Sequence, residues 1–300
     1  MTTSEISDYA LGAGEAERAR LLAQCEIHRA EAEHLVDRIG VAPGWRTIDI
    51  GCGPLGVLDI LAGRVGPHGC VTGVDREPRF VEMAARSLRE RDLESVPVVT
   101  AEDAATTGLP DGSFDLVHER LVLNNVAHPS DIVAEMSRLT RPGGYVAVQD
   151  MDWISWTCQP AHTAWDRLHT ATAASWVCDV FLGRRLPELL RDAGLVDVGV
   201  DAHVRVWRAG DPYQKLLLRF AEIHRERILA LATVTETELD SWVRELDAHL
   251  DHPDTVTLYA TFFQAWGPQA RNRHRNGVMT WNPRSGCCSP AARSTATAAR

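Results

Sequence analysis

Thr47-Ile48-Asp49-Ile50-Gly51-Cys52-Gly53-Pro54-Leu55-Gly56 is the stretch whose reading decides the fold. Its apolar half reads as a strand, and the glycines that end it leave bare backbone for a ligand to approach. A nucleotide-like cofactor is the first expectation. Gly51, Gly53 and Gly56 spell G-x-G-x-x-G, and the acidic Asp75 follows about 20 residues on, the spacing of a dinucleotide fingerprint. A dinucleotide and a phosphate-free cofactor therefore compete for one loop.

Outward from the loop, Ala16 to Ile39 carries Leu21, Leu22, Cys25, Ile27, Leu35, Val36 and Ile39 at the spacing of an amphipathic helix, stopped by Gly40 and Pro43-Gly44. Strands are predicted at Thr47 to Ile50, Cys70 to Asp75, Val96 to Ala101, Phe114 to His118 and Tyr145 to Gln149. Helices over Leu55 to Val65, Pro78 to Arg91 and Pro129 to Leu139 separate them. This alternation predicts an α/β fold, a Rossmann-like doubly wound sheet, mostly parallel, whose strand C-terminal ends share one ligand crevice.

The second half reads differently. Trp153, Trp156, Trp165 and Trp176 lie in a helix-prone stretch to Phe181, expected to form a helical cap or lid. A helix at Leu186 to Ala193, a strand at Val196 to Trp207 and helices at Pro212 to Leu231 and Glu236 to Leu250 follow. Thr235 with Glu238 opens the last of these as a capping box. Val256 to Ala265 is the final strand, expected antiparallel to Val196 to Trp207. The predicted organisation is an N-terminal helical segment (1–44), a cofactor-binding core (45–150), a cap (151–185), the C-terminal part of the core with a helical insertion (186–270) and a tail (271–300) whose composition reads as disordered.

The chain has 300 residues, is 45% apolar and carries a formal net charge of −10. An acidic balance with no basic helical face argues against a nucleic-acid partner. Lys215 is the only lysine, so lysine-based covalent chemistry has little to draw on. The seven cysteines are odd in number and lack metal-site spacing, which fits reduced thiols in a cytoplasmic protein. No stretch reaches the roughly 18 apolar residues of a membrane span, so no membrane insertion is expected.

Further motifs separate the two cofactor classes. With Asp49-Ile50-Gly51-Cys52-Gly53, Asp75, Ala101-Glu102-Asp103-Ala104, Phe114-Asp115-Leu116-Val117 and Arg141-Pro142-Gly143-Gly144, the chain resembles the class I S-adenosylmethionine-dependent methyltransferases. The likeness covers Trp45 to Gln149, more loosely through Val200, and points to the small-molecule, ubiquinone/menaquinone-methyltransferase-like branch. It implies that Gly51 and Gly53 line the methionine moiety of S-adenosylmethionine and that Asp49 orients the loop or the cofactor amine. Asp75 would accept both ribose hydroxyls, Asp103 the adenine amino group, and Ala104 N–H would reach a ring nitrogen. Tyr9-Ala10-Leu11-Gly12 with Glu17, Arg18 and Arg20 is similar to a preface in that branch, with Tyr9 touching the cofactor and Arg20 pairing with its carboxylate. Cys52, Arg76 and Glu119 complete the expected contacts. From the residues alone, Asp49 is also readable as a loop-capping carboxylate and Asp103 as the start of a turn. The chain departs from the family pattern at Leu55, where many members carry a third glycine; Gly56 comes one position late.

In a sulfonium displacement the cofactor brings the reactivity and the protein supplies alignment. A base helps when the acceptor is a phenol, an alcohol or a protonated amine. His118, with an ordinary imidazole pKa of about 6.5, is the candidate catalytic base; Glu119, Asn124, Asn125, Asp150 and Asp152 are the other strand-end candidates. The four tryptophans either wall the acceptor or build the cap's core. The expected function is methyl transfer to a small organic acceptor, a specialised metabolite or quinone-like compound, with O-methylation favoured and no metal. An NAD(P)-dependent oxidoreductase and a non-catalytic S-adenosylmethionine-binding protein are the alternatives.

Overall fold

The computed structural model describes residues 15–100, 103–176, 178–211 and 213–271; Tyr9 and the tail beyond Arg271 lie outside them. Ten strands run in chain order as β1 Arg46–Ile50, β2 Cys70–Asp75, β3 Val98–Thr100, β4 Phe114–Arg120, β5 Thr140–Asp152, β6 Thr157–Gln159, β7 Gly199–His203, β8 Val206–Arg208, β9 Val256–Leu258 and β10 Thr261–Pro268. The main sheet has the order β3-β2-β1-β4-β5-β10-β7. β1 to β5 pair in parallel, and β10 is antiparallel to both β5 and β7. The expected Rossmann-like sheet with an antiparallel late strand is therefore present.

The helices are α1 Glu15–Ile27, α2 Arg29–Ile39, α3 Leu58–Val65, α4 Pro78–Arg89, α5 Pro129–Leu139, α6 Thr163–Ser175, α7 Leu186–Asp192, α8 Leu216–Ile223, α9 Arg225–Ala230 and α10 Glu236–Leu250. α10 opens with the capping box read from Thr235 and Glu238. The single N-terminal helix expected over Ala16 to Ile39 is two. The break falls at buried His28, whose ring stacks on Phe262 of β10 at 4.3 Å, so the helix bends to seat this side chain on the sheet.

The two late strands also divide. Val196 to Trp207 yields β7 in the main sheet and β8 in a second, three-stranded sheet of order β6-β9-β8. Val256 to Ala265 divides in the same way into β9 and β10. The expected antiparallel pairing holds twice, β10 with β7 and β9 with β8. At the crossing point Tyr259 N–H donates to Arg205 O at 2.8 Å, so the two strands change sheets as a pair.

Strand alternation sends Ile48, Ile50, Val117, Val146 and Val148 to one face of the main sheet, against Ile132, Met136, Leu186 and Leu190 of α5 and α7. Leu116 and Ala147 face the other way, against Leu35, Val36, Leu58 and Leu61 of α2 and α3. A third core gathers Trp153, Trp156, Trp165 and Leu168 with Leu217, Leu239, Leu246 and Tyr259. The tryptophan-rich segment and the helical insertion after β8 thus share one core, placed over the ends of β4 and β5 through Leu121 and Met151.

Candidate active site

The loop after β1 is folded by a carboxylate of the chain itself. Gly51, Gly53 and Gly56 have φ of 69°, 52° and 54°, and Gly51 and Cys52 N–H both donate to Val74 O of β2. Asp49, in β1 and buried, accepts the Val57 N–H on Oδ2 at 3.1 Å, just ahead of α3. A Cβ on Gly56 would stand 2.0 Å from the same Oδ2 and 2.9 Å from Cys52 O, so only glycine fits there. The third glycine of the literal G-x-G-x-x-G is therefore set by Asp49. Leu55, the departure from the family pattern, is buried in the α2–α3 core and anchors the loop there.

Anions bind at helix N-termini because unpaired N–H groups and the dipole both point at them. At α3 the Asp49 carboxylate already holds that position. A dinucleotide pyrophosphate would have to enter beside it, anion against anion, whereas a cofactor without phosphate makes no such demand.

Asp49 is itself held. Its Oδ1 lies 2.7 Å from His118 Nδ1, and His118 Nε2 lies 2.9 Å from the Gln149 side-chain oxygen. A carboxylate at Nδ1 places the proton there, which leaves Nε2 of a neutral ring as an acceptor. The Gln149 amide nitrogen is buried and has no partner among the described residues. Turning that amide over brings its N–H to Nε2 and satisfies both groups, an assignment made from the hydrogen-bond network. In either orientation both ring nitrogens are taken and His118 is buried. The candidate base thus faces the core rather than the crevice, because strand alternation puts it on the same side as Asp49.

Asp75 ends β2 at the crevice. Its Oδ2 accepts the Gly53 N–H and its Oδ1 the Glu77 N–H, both at 2.9 Å. Each oxygen keeps a further lone pair for a hydroxyl donor. Burial raises its pKa above the usual carboxylate value, opposed by the Glu77 and Gly53 N–H groups and by the charge of exposed Arg76. At Gly53 a Cβ would meet nothing within 4 Å, so this face of the loop is open. Cys52 turns its side chain down against Gly73 of β2, and burial pushes its thiol well above the ordinary range, leaving only its backbone toward the loop. Asp103 is exposed and starts a turn, Oδ1 accepting the Ala105 N–H at 2.8 Å, with half-buried Ala104 between them. Arg20 on α1 grips Glu17 through Nε and Nη2 at 2.7 and 2.6 Å.

Two buried carboxylates shape the turn after β4, where Leu121 takes a φ of 59°. Glu119 accepts the N–H groups of Val122 and Gln149 at 3.0 and 3.2 Å. Asp150 accepts those of Asn124 and Met151 at 2.9 and 2.8 Å. Burial lifts Asp150 to about 7, and burial followed by the Asp150 charge lifts Glu119 well above its ordinary value. Asp152 is spent on a bidentate pair with Arg184, both contacts at 2.5 Å. Asn125 bonds Leu121 O and the Asn124 side chain. Of the strand-end candidates, Glu119, Asn124, Asn125 and Asp150 hold the turn, and Asp152 holds Arg184.

Two of the motifs that carried the resemblance hold each other away from the crevice. Asp115 at the start of β4 accepts from Arg141 Nε at 2.5 Å and from the Arg46 N–H at 2.7 Å. Arg120, Gln149 and the aromatic residues Trp207, Tyr213 and Tyr259 were not singled out from sequence. Arg120 donates to Gly56 O at 2.9 Å, closing the glycine loop from above. No spacing signal marks it, since the contact spans two strands.

Residues 42–194 match the methyltransferase domain family. An uncharacterised 37.1 kDa protein in transposon TN4556 of Streptomyces fradiae is 30% identical over 247 residues, 81% of this chain and 69% of that one. A demethylmenaquinone methyltransferase of Geobacillus sp. (strain WCH70) is 27% identical over 197 residues, 59% of this chain and 81% of that one. Among solved structures, the YcgJ protein of Bacillus subtilis shares the fold with a TM-score of 0.56 at 16% identity, covering 81% of this chain and 100% of that one.

Proposed function

This chain belongs to the methyltransferase domain family as a class I S-adenosylmethionine-dependent enzyme, and from that premise we propose that it methylates an oxygen of a small organic acceptor. The observation that carries the cofactor reading is the placement of two carboxylates. Asp49 fills the anion position at the head of α3, while Asp75 presents acceptor lone pairs at the next strand end, where a ribose diol needs them. The same placement speaks against a nicotinamide dinucleotide.

When bound, S-adenosylmethionine would supply an electrophilic methyl group, transferred to the acceptor oxygen with the C–S bonding pair left on sulfur and the hydroxyl proton lost to solvent. In this reading Gly51 and Gly53 offer backbone to the methionine moiety, and Asp75 takes the ribose hydroxyls. Asp103 keeps its second oxygen for the adenine amino group. His118 is a positioning residue, locking Asp49 and with it the glycine loop. No free base stands among the strand-end groups, so alignment under the cap carries the step. The likeness to a demethylmenaquinone methyltransferase supports a quinone-like acceptor.

Calorimetry decides between cofactors. S-adenosylmethionine should bind and NAD(P)H should give no heat; the reverse result refutes the reading. Mass spectrometry of metabolite extracts incubated with enzyme and cofactor should then show one product heavier by a single CH2 group and sensitive to O-demethylation. A methylated nitrogen or carbon in that product refutes the assignment to oxygen.

A further inference from the structure

Four rings of the cap meet where it faces α1. Trp207, Tyr213 and Tyr259 touch one another, with centroid separations of 5.8, 5.8 and 6.2 Å, and Tyr259 stands edge-on to Trp156 at 5.6 Å. In the same region Trp165 Nε1 donates to Trp156 O and His169 Nε2 bonds Trp153 O, both at 3.2 Å, while His224 Nε2, on a ring stacked against Trp176, is buried without a partner among the described residues. Trp156 Nε1, Trp207 Nε1 and the Tyr213 hydroxyl are all buried without a partner among the described residues. Buried polar atoms are nearly always paired, and three unmet groups on rings that all touch Tyr259 mark a place built for something else.

The chemistry of that something follows from the inventory. An indole N–H can only donate, and a phenol hydroxyl donates when its neighbours are donors. The group therefore lacks acceptor atoms, which an ammonium does not have and which a phenol or carbonyl oxygen provides. Flat apolar ring faces favour a planar partner. The group belongs to the core that also takes in Leu121 and Met151 at the ends of β4 and β5, and Cys25 of the neighbouring α1 reaches the Gly56 backbone of the glycine loop.

We propose that the acceptor is a phenol-class planar aromatic, seated against Trp207, Tyr213 and Tyr259 with an oxygen accepting from the Tyr213 hydroxyl and Trp207 Nε1. This rests on the methyl-transfer reading and specifies its substrate class.

The test uses the whole chain saturated with S-adenosylhomocysteine and titrated in a calorimeter with 2-naphthol or with 2-naphthylmethylammonium. Naphthol should bind and the ammonium should not. Tyr213→Phe should weaken naphthol about fivefold, the usual loss for one neutral hydrogen bond, and Trp207→Phe should do the same. Free Tyr213→Phe should melt at or above the wild-type temperature, because it removes a buried hydroxyl with no partner. Failure of naphthol to bind, equal binding of the ammonium, or a folded Tyr213→Phe with unchanged naphthol affinity overturns the proposal. The preceding S-adenosylhomocysteine titration reads the premise separately: no heat there refutes methyl transfer, whereas normal binding confines any failure to the acceptor class.

Discussion

Placing a methyl group on Gly56 tests how the glycine loop is built. With φ at 54°, an alanine there sits in the left-handed region at a cost of about 1–2 kcal/mol. Its Cβ would also stand 2.0 Å from Asp49 Oδ2, so the carboxylate must move. Movement breaks the Val57 N–H bond at 3.1 Å and strains the His118 contact at 2.7 Å. A hydrogen bond to a charged group is worth about 1.5–3 kcal/mol, so Gly56→Ala should cost roughly 3–5 kcal/mol, a large part of a domain's stability. Gly53 is the internal control: its φ is 52° but a Cβ there meets nothing within 4 Å, so Gly53→Ala should cost only the conformational ~1–2 kcal/mol. Urea denaturation of both variants measures the difference. Asp49→Ala combined with Gly56→Ala should lose less than the sum of the two single changes, since the clash is gone. Equal losses at Gly53 and Gly56, or strict additivity with Asp49→Ala, would sink the account.

Asp75→Ala and Asp103→Ala should each weaken S-adenosylmethionine by about 1–3 kcal/mol in calorimetry, with near-native affinity in both refuting the site. Because burial raises the Asp75 pKa, cofactor affinity should fall as pH drops through that raised value, and a flat profile would contradict the acceptor role. Asp150 titrates near 7 in the fold against an ordinary value of 3.8, so the native state holds the extra proton between them. Stability should therefore decline as pH rises through that window, and Asp150→Asn should flatten the slope; an unchanged slope in urea titrations at several pH values argues against the buried pair.

The main sheet was legible because strands, turns and helices alternate with glycine and proline between them, and the capping box at Thr235 was legible for the same local reason. The bend at His28 was not, since neither Gly nor Pro marks it and its cause, Phe262, lies far along the chain. Nor was the division of Val196 to Trp207, because two-residue alternation reports burial on a face without saying which sheet owns the strand. At the site, the plain roles weighed for Asp49 and Asp103, a loop cap and a turn start, are both observed. Gly56 read as part of a dinucleotide fingerprint because its reason, a carboxylate seven residues earlier that folds back onto it, is a contact rather than a pattern. The triangle of Trp207, Tyr213 and Tyr259 is assembled from three separate segments, and no single window of sequence contains it.

The paired crossing of β7–β8 and β9–β10 between sheets has a consequence for how the helical insertion is attached. Residues 209–255 leave the small sheet at Arg208 and return at Val256, positions that face each other across β8 and β9. Entry and exit at one rung of a ladder form a socket. The exposed turns of the inserted segment can change length while the strands on either side keep their register, whereas Leu217, Leu239 and Leu246 tie its helices to the tryptophan core. The socket is also separate from the cofactor loop: the glycine loop and Asp75 lie across β4 from it, at the ends of β1 and β2.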